Sequence, residues 1–368
     1  MFINLPKAYG LREVVIKPPQ VYWKAVEYLF MREKPVLQDE RITALVLESY
    51  GLQIDQVEFL PQGADFNAVV YRVVTSESVP YFLKLTKGII DTTSLLVPRF
   101  VHDHGIRQVI PPLKTNSDQL WTSLDVFTCI LYPFIDGCNG FERALSDDQW
   151  VDFGAAVKGI HTIVLPPELQ RRIPSETYSS YWREMVKAFQ AQVEHNIFAD
   201  PLAAKMAALM QNHRHEIRLM IERAQQLGSL LQSQPMTKVL CHSDLHAGNL
   251  LLTPDDSLYI VDWDNLILSP KERDLMFIGG GVGGIWYSGR EVALFDRGYG
   301  FEDTNLTALA YYRYERIIQD IAAFCEQILL STEGGDDREQ GFRYFASQFS
   351  PNEVIEIAHQ TYQKLIEQ

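Results

Sequence analysis

"VLCHSDLHAGNLLLTPDDSLYIVDWDN", Val239–Asn265, sets two histidines, an asparagine and several aspartates between the most apolar runs of the chain. "KVLC" and "LYIVDWD" read as short buried strands, and "HSDLHAGN" as the turn that leaves the first of them. Asp244 and Asn249 lie five positions apart, and Asp262 follows Asp244 by eighteen, at the end of the second strand. Phosphoryl transfer needs such a set: one carboxylate to take the proton of an acceptor hydroxyl, and an amide oxygen with a second carboxylate to hold Mg²⁺ against phosphates. Mg²⁺ favours a few hard oxygen ligands completed by water, which Asn249 and Asp262 supply. Aspartate and asparagine also favour plain turns, but two flanking apolar strands and a second acidic strand end argue against a turn alone.

The rest of the chain bounds this reading. Its 368 residues suggest two domains or lobes, at about 150 residues per domain. Apolar residues make up 46% and aromatic residues 11%, enough for a real core. Lys and Arg total 33 against 47 acidic residues, a formal charge of −14. That balance argues against nucleic acid, whose binding depends on basic patches. It is compatible with a cationic small substrate as well as with an ordinary acidic surface. The N-terminus carries no apolar core of signal-peptide length, and no apolar run reaches the ~18 residues of a membrane span. Cys129, Cys138, Cys241 and Cys325 show no paired spacing and read as reduced thiols of a cytoplasmic protein.

Along the chain, apolar positions Ile42, Leu45, Val46 and Leu47 predict a short helix closed by Gly51. "QVEFLPQGADFNAVVYRVV" then reads as strand, turn, strand, "YFLKL" as a third strand, and "LWTSLDVFTCILYPF" as a further pair. Beyond Tyr132 the period becomes helical, through Trp150 to Ile160, Met206 to Ala224, Leu306 to Leu330 and Asn352 to Ile366. The expected fold is α+β: a lead-in over 1–40, a small β-rich lobe over 41–132 and a larger, mainly helical lobe over 133–368. The first 30 residues read as an appendage, with Met31 as an alternative start.

"HSDLHAGN" resembles the catalytic loop of the aminoglycoside phosphotransferase family, a branch of the protein-kinase-like fold, and "IVDWD" resembles its metal-binding strand end. "SPKERDLMFIGGG", 269–281, is similar to the segment that follows in the spectinomycin phosphotransferases. The resemblance covers roughly residues 31–350, and two motifs at this spacing are strong where either alone is moderate. It implies a two-lobed enzyme with ATP and Mg²⁺ in the cleft, Asp244 as catalytic base, and Asn249 and Asp262 as metal ligands. Asp264 is close enough to be an alternate ligand or to approach substrate, and Asp274 is expected to brace the loop from a helix.

The small lobe is then expected to hold the nucleotide. Lys84 of "FLKL" stands mid-strand among apolar residues, and the resemblance makes it the lysine that grips the α- and β-phosphates. "PQGADFNA" is the expected phosphate-covering turn, with Gly63, Asp65 and Asn67. "ILYPFI" is the expected hinge at adenine. Pro133 there has no N–H, so the donor falls to Phe134 or, by preference, Ile135. The family pairs its lysine with a glutamate on the next helix, but "TKGIIDTTSLLVPRFVHDHG" has none. It offers only Asp91 and Asp103, and Pro98 is expected to interrupt the helix.

"YYRYERIIQDIAAF" places Tyr312, Glu315, Arg316, Gln319 and Asp320 on one broad helix face. The resemblance puts such a helix beside the acceptor, with Glu315 and Asp320 suited to protonated amines, although a solvated ion-paired face would look the same. "GGGVGG", 279–284, formally fits a dinucleotide motif but follows a helical segment, and reads as a flexible loop at the substrate cleft. His242 and His246 are four apart, but no glutamate follows His242 as a zinc-protease motif requires. No phosphate-binding GxxxxGK[ST] occurs. The leading expectation is an ATP- and Mg²⁺-dependent O-phosphotransferase acting on a small cationic aminocyclitol of the spectinomycin kind. A kinase for choline, homoserine or a sugar, and a nucleotide-binding regulatory protein without turnover, remain the alternatives.

Overall fold

A computed structural model describes residues 37–61, 68–88, 90–332 and 334–368. The N-terminal appendage and the expected phosphate-covering residues Gly63, Asp65 and Asn67 lie outside the described residues.

The small lobe opens with helix α1 (Asp39–Tyr50). Asp39 and Glu40 in its first turn complement the helix dipole. Gly51, at φ 70°, ends it, its N–H donating to Leu47 O at 2.9 Å. Strands β1 (Ile54–Leu60), β2 (Ala68–Thr75) and β3 (Pro80–Lys87) follow; helix α2 (Thr93–Asp103) precedes β4 (Thr122–Leu124) and β5 (Phe127–Pro133). The sheet is antiparallel in the order β1-β2-β3-β5-β4. Leu83 pairs with Tyr71 and Leu131, and Leu85 with Val69 and Cys129. These residues pack with Ile42 and Val46 of α1 in one core. Period two puts Lys84, between Val70 and Ile130, on the opposite face.

Helix α2 is continuous through Pro98, contrary to the break expected there. Burial of Leu95, Val97, Val101 and Pro98 itself offsets the one helical hydrogen bond that a proline removes. Val97 and Val101 belong to the core of the large lobe.

That lobe begins with β6 (Cys138–Asn139), α3 (Asp147–Thr162), α4 (Pro167–Gln170), α5 (Tyr181–His195), α6 (Pro201–Asn212) and α7 (Arg214–Gln232). Strands β7 (Val239–Cys241), β8 (Leu250–Leu252), β9 (Leu258–Ile260) and β10 (Ile267–Ser269) come next. Helices α8 (Glu272–Leu275), α9 (Gly289–Tyr299), α10 (Leu306–Leu329), α11 (Gly335–Ser347) and α12 (Val354–Ile366) complete it. The strands form two small antiparallel sheets, β10-β7 and β6-β8-β9. α10 is the axis of the helical part: Tyr311, Tyr312, Tyr314, Ile318, Ile321 and Phe324 are buried along it against its neighbours. The segment between the lobes runs hard against β8, where a Cβ on Gly137 would stand 2.7 Å from Leu252 O. Among the described residues no helix is long and apolar enough to cross a membrane.

Candidate active site

The loop 242–249 leaves β7 and enters β8, and its shape is set by hydrogen bonds to three other elements. Asp274, on α8 and wholly buried, accepts from His242 N (2.9 Å) and Ser243 N (2.6 Å). His161 of α3 donates from Nε2 to the same carboxylate at 3.0 Å, and its Nδ1 lies 2.8 Å from the Tyr299 hydroxyl. His242 donates from Nε2 to Val261 O (2.9 Å), while its Nδ1 accepts from Asp244 N (3.3 Å). Ser243 Oγ donates to Asn265 O at 2.6 Å. The loop is therefore tied to the turn after β9 as well as to α8. Ser243 and Asp262 both take left-handed backbone angles, φ 70° and 65°, strain that persists only where surrounding contacts enforce it. His161, Cys241 and Asp274 also bring ligand-type atoms within 4.8 Å of one another. The two oxygens of Asp274 are already taken by three donors, so this cluster is bracing.

Asn249 and Asp262 come to the same end of one ladder. Leu250 pairs with Ile260, and Val261 N donates to Asn249 O at 3.0 Å. Asn249 Nδ2 donates to Asp244 O (2.8 Å), which fixes the amide. Its Oδ1 is then buried and accepts no hydrogen bond. A buried carbonyl oxygen without a donor is costly unless a cation or ligand group meets it, so the donor set fits a hard divalent ion.

Asp244 is 3% exposed. Arg316 of α10 donates from Nη1 to its Oδ1, and Arg316 Nε donates to Asp320 Oδ1 at 3.0 Å. His246 Nε2 lies 3.6 Å from Asp244 Oδ2. Burial alone would raise the Asp244 carboxyl. The charge and hydrogen bond of Arg316, with His246 close by, outweigh it and hold the group well below the usual carboxylate range. Asp320 moves the other way: burial dominates Arg316 and pushes it up to about 6. A small cleft beside Arg316 is lined by Arg316 and Asp320 of α10, Phe277 just after α8, Gly280 and Val282 of the glycine segment, and Val354 of α12.

Across the interlobe gap, Lys84 Nζ donates to Asp264 Oδ2 at 3.0 Å. Neither of the expected acidic candidates reaches it. Asp91 Oδ1 accepts from Thr93 N (2.9 Å) at the start of α2, and Asp103 pairs with Arg99. Asp264 of the large lobe is thus the carboxylate that faces Lys84 of the small lobe. Pro133 ends β5 opposite Tyr81, and half-buried Ile135 follows in the connection to β6.

Residues 56–312 match the phosphotransferase enzyme family. The chain belongs to that family. It is similar to a spectinomycin phosphotransferase crystallised with ADP and spectinomycin, at 38% identity and a TM-score of 0.84, covering 90% of this chain and 100% of that one. An AMP-bound structure of spectinomycin phosphotransferase is similar at 37% identity and a TM-score of 0.79, over 87% of this chain and 98% of that one. An aminoglycoside phosphotransferase from Alicyclobacillus acidocaldarius shares the fold at 13% identity and a TM-score of 0.62, over 92% and 98%. The fold is the two-lobed protein-kinase-like one, and the activity is that of an enzyme transferring a phosphoryl group to a hydroxyl.

Two expectations for this phosphotransferase need correction. Glu315 does not face the cleft: 4% exposed, it is paired with Arg183 of α5 inside the large lobe, and burial pushes its carboxyl up to about 7 against that pairing. Glu315 is followed directly by Arg316, and a step of about 100° per residue turns adjacent side chains toward different neighbours. The glycine segment does border the cleft, but as a packed turn. Gly281 and Gly283 have φ 72° and 71°, and a Cβ on either would strike Ile357 of α12 or Phe141. The partnerships that sequence reasoning missed are Lys84–Asp264 and Asp244–Arg316. Their only sequence signals were the second aspartate of "VDWD" and a basic residue amid a buried helical run.

Proposed function

We propose that this phosphotransferase moves the γ-phosphoryl group of ATP to a hydroxyl of a small cationic acceptor, an aminocyclitol of the spectinomycin type. The observation that carries the chemistry is Asn249 Oδ1, buried and without a donor, beside Asp262 and within the loop that holds Asp244. Asn249 and Asp262 would hold Mg²⁺, which when bound supplies neutralisation of phosphate charge. Asp244 accepts the proton of the acceptor hydroxyl. Its depressed proton affinity suits a reaction in which little proton transfer precedes phosphoryl movement and positioning matters more than basicity. Lys84 exchanges Asp264 for phosphate oxygens when nucleotide enters. Pro133 and Ile135 frame adenine, with the Ile135 N–H as donor. The acceptor assignment is supported by the 37–38% identity to spectinomycin phosphotransferases over most of both chains. Four free thiols accord with work in a reducing cytoplasm.

A panel of spectinomycin, a kanamycin-type aminoglycoside, choline, homoserine and a methylthio-sugar, incubated with Mg·ATP and read by mass of the product, tests this. Phosphorylated spectinomycin is expected. Product from choline, homoserine or the sugar alone removes the acceptor assignment and leaves the chemistry. ATP left intact with every acceptor refutes the reading as a whole.

A further inference from the structure

We infer that Arg316 is the positioning residue of Asp244, and that Asp320 serves the reaction through Arg316 rather than by touching the acceptor. The inference rests on the reading of Asp244 as base.

The Asp244 backbone is fixed without help from α10: its N–H donates to His242 Nδ1, and its carbonyl accepts from Asn249 Nδ2. Neither bond sets the carboxylate's rotation. Arg316 does, donating from Nη1 to Oδ1. The guanidinium is itself held on several sides. Its Nε edge is bound to Asp320 (3.0 Å), its Cζ lies 5.4 Å from the Phe277 ring centroid, and its side chain is 7% exposed. A planar, permanently charged fork is the one side chain that can hold two carboxylates at fixed relative angles.

The two oxygens of Asp244 are thereby distinguished. Oδ1 is clamped, while the nearest basic group to Oδ2, His246 Nε2, stands at 3.6 Å, too far for a hydrogen bond. Oδ2 is the oxygen offered to a hydroxyl. Asp320, at 15% side-chain exposure, borders the cleft but spends Oδ1 on Arg316. Stability alone is a poor reason for this arrangement, because buried ion pairs are often matched by apolar residues of equal volume.

The test is steady-state and single-turnover kinetics of Arg316→Gln, Arg316→Lys and Asp320→Asn, with Arg316→Gln repeated in an Asp244→Asn background. Loss of positioning of the order of 1 Å costs about 10²-fold, so Arg316→Gln should lower kcat by about that factor, with both KM values nearly unchanged. Arg316→Lys should recover part of the loss, and Asp320→Asn should show a smaller fall in kcat. In the Asp244→Asn background, Arg316→Gln should slow the residual rate no further, because residues acting as a unit are not additive. A raised acceptor KM at unchanged kcat would make Arg316 a binding residue and overturn the inference, as would additive losses. If Arg316→Gln does not fold, the other two variants decide, and wild-type kcat in both overturns it. An active Asp244→Asn enzyme refutes the reading of Asp244 as base instead. An inert Asp244→Asn with Arg316→Gln at full rate refutes this inference alone.

Discussion

Replacing Asp274 should damage both the fold and the turnover, by amounts that its contacts set. The carboxylate receives His242 N, Ser243 N and His161 Nε2, and it is wholly buried. Asp274→Ala leaves three buried N–H groups without an acceptor at about 1–3 kcal/mol each, so about 3–9 kcal/mol in all. That is most of the ~5–15 kcal/mol that a native protein has in reserve, and the variant should be recovered poorly or not at all. Asp274→Asn is the informative change. One amide oxygen still accepts, but the NH₂ group opposes one donor and the charge is gone, at a cost of about 2–4 kcal/mol. At about 2–4 °C per kcal/mol for mid-sized domains, Tm should fall by about 4–16 °C. The loop carrying Asp244 then loses its anchor while Lys84 and Asp264 do not. kcat should therefore drop by about 10²-fold while ATP affinity stays nearly unchanged. Thermal unfolding, product formation and nucleotide titration of the same preparation measure all three. A folded Asp274→Asn protein with wild-type Tm and kcat would refute the bracing argument.

Asp244→Asn should abolish nearly all turnover while binding nucleotide normally; product formation near the wild-type rate sinks its assignment as base. Asp262→Asn should weaken Mg·ATP binding in calorimetry and raise the Mg²⁺ concentration needed for activity, and an unchanged affinity would move the metal site elsewhere. Glu326, on α10, is pushed up to about 7 by burial. A carboxyl raised in this way adds stability below its unfolded value of 4.5 and loses it as pH climbs through 7. Glu326→Gln should accordingly raise Tm at pH 8 and give little gain at pH 5. Equal shifts at both would contradict the burial of that group.

How much of this was legible beforehand depends on the range of the interactions. The β-rich and helical halves could be read because strand and helix periods are local: β3 and β5 each show their alternation within a few residues. That Asp244, Asn249 and Asp262 would be brought together could be read because one loop and one short ladder carry all three. The failures are long-range. Lys84 and Asp264 are 180 positions apart, and Asp244 and Arg316 are 72 apart. No period or spacing encodes such pairs. Glu315 was misplaced because α10 is buried nearly all round, so polar residues at helical spacing did not mark an exposed face. Pro98 was over-read because the rule that proline breaks helices neglects what burial can offset.

The pairing of Lys84 with the large lobe bears on how such an enzyme can be governed. In protein kinases the β3 lysine is matched by a glutamate on a mobile helix, and activity follows that helix in and out. Here α2 carries no glutamate, its Val97 and Val101 are embedded in the large-lobe core, and the carboxylate facing Lys84 rises from the turn after β9. Among the described residues the Lys84–Asp264 pair involves no residue of α2, so displacing that helix would not by itself remove the carboxylate that faces the lysine.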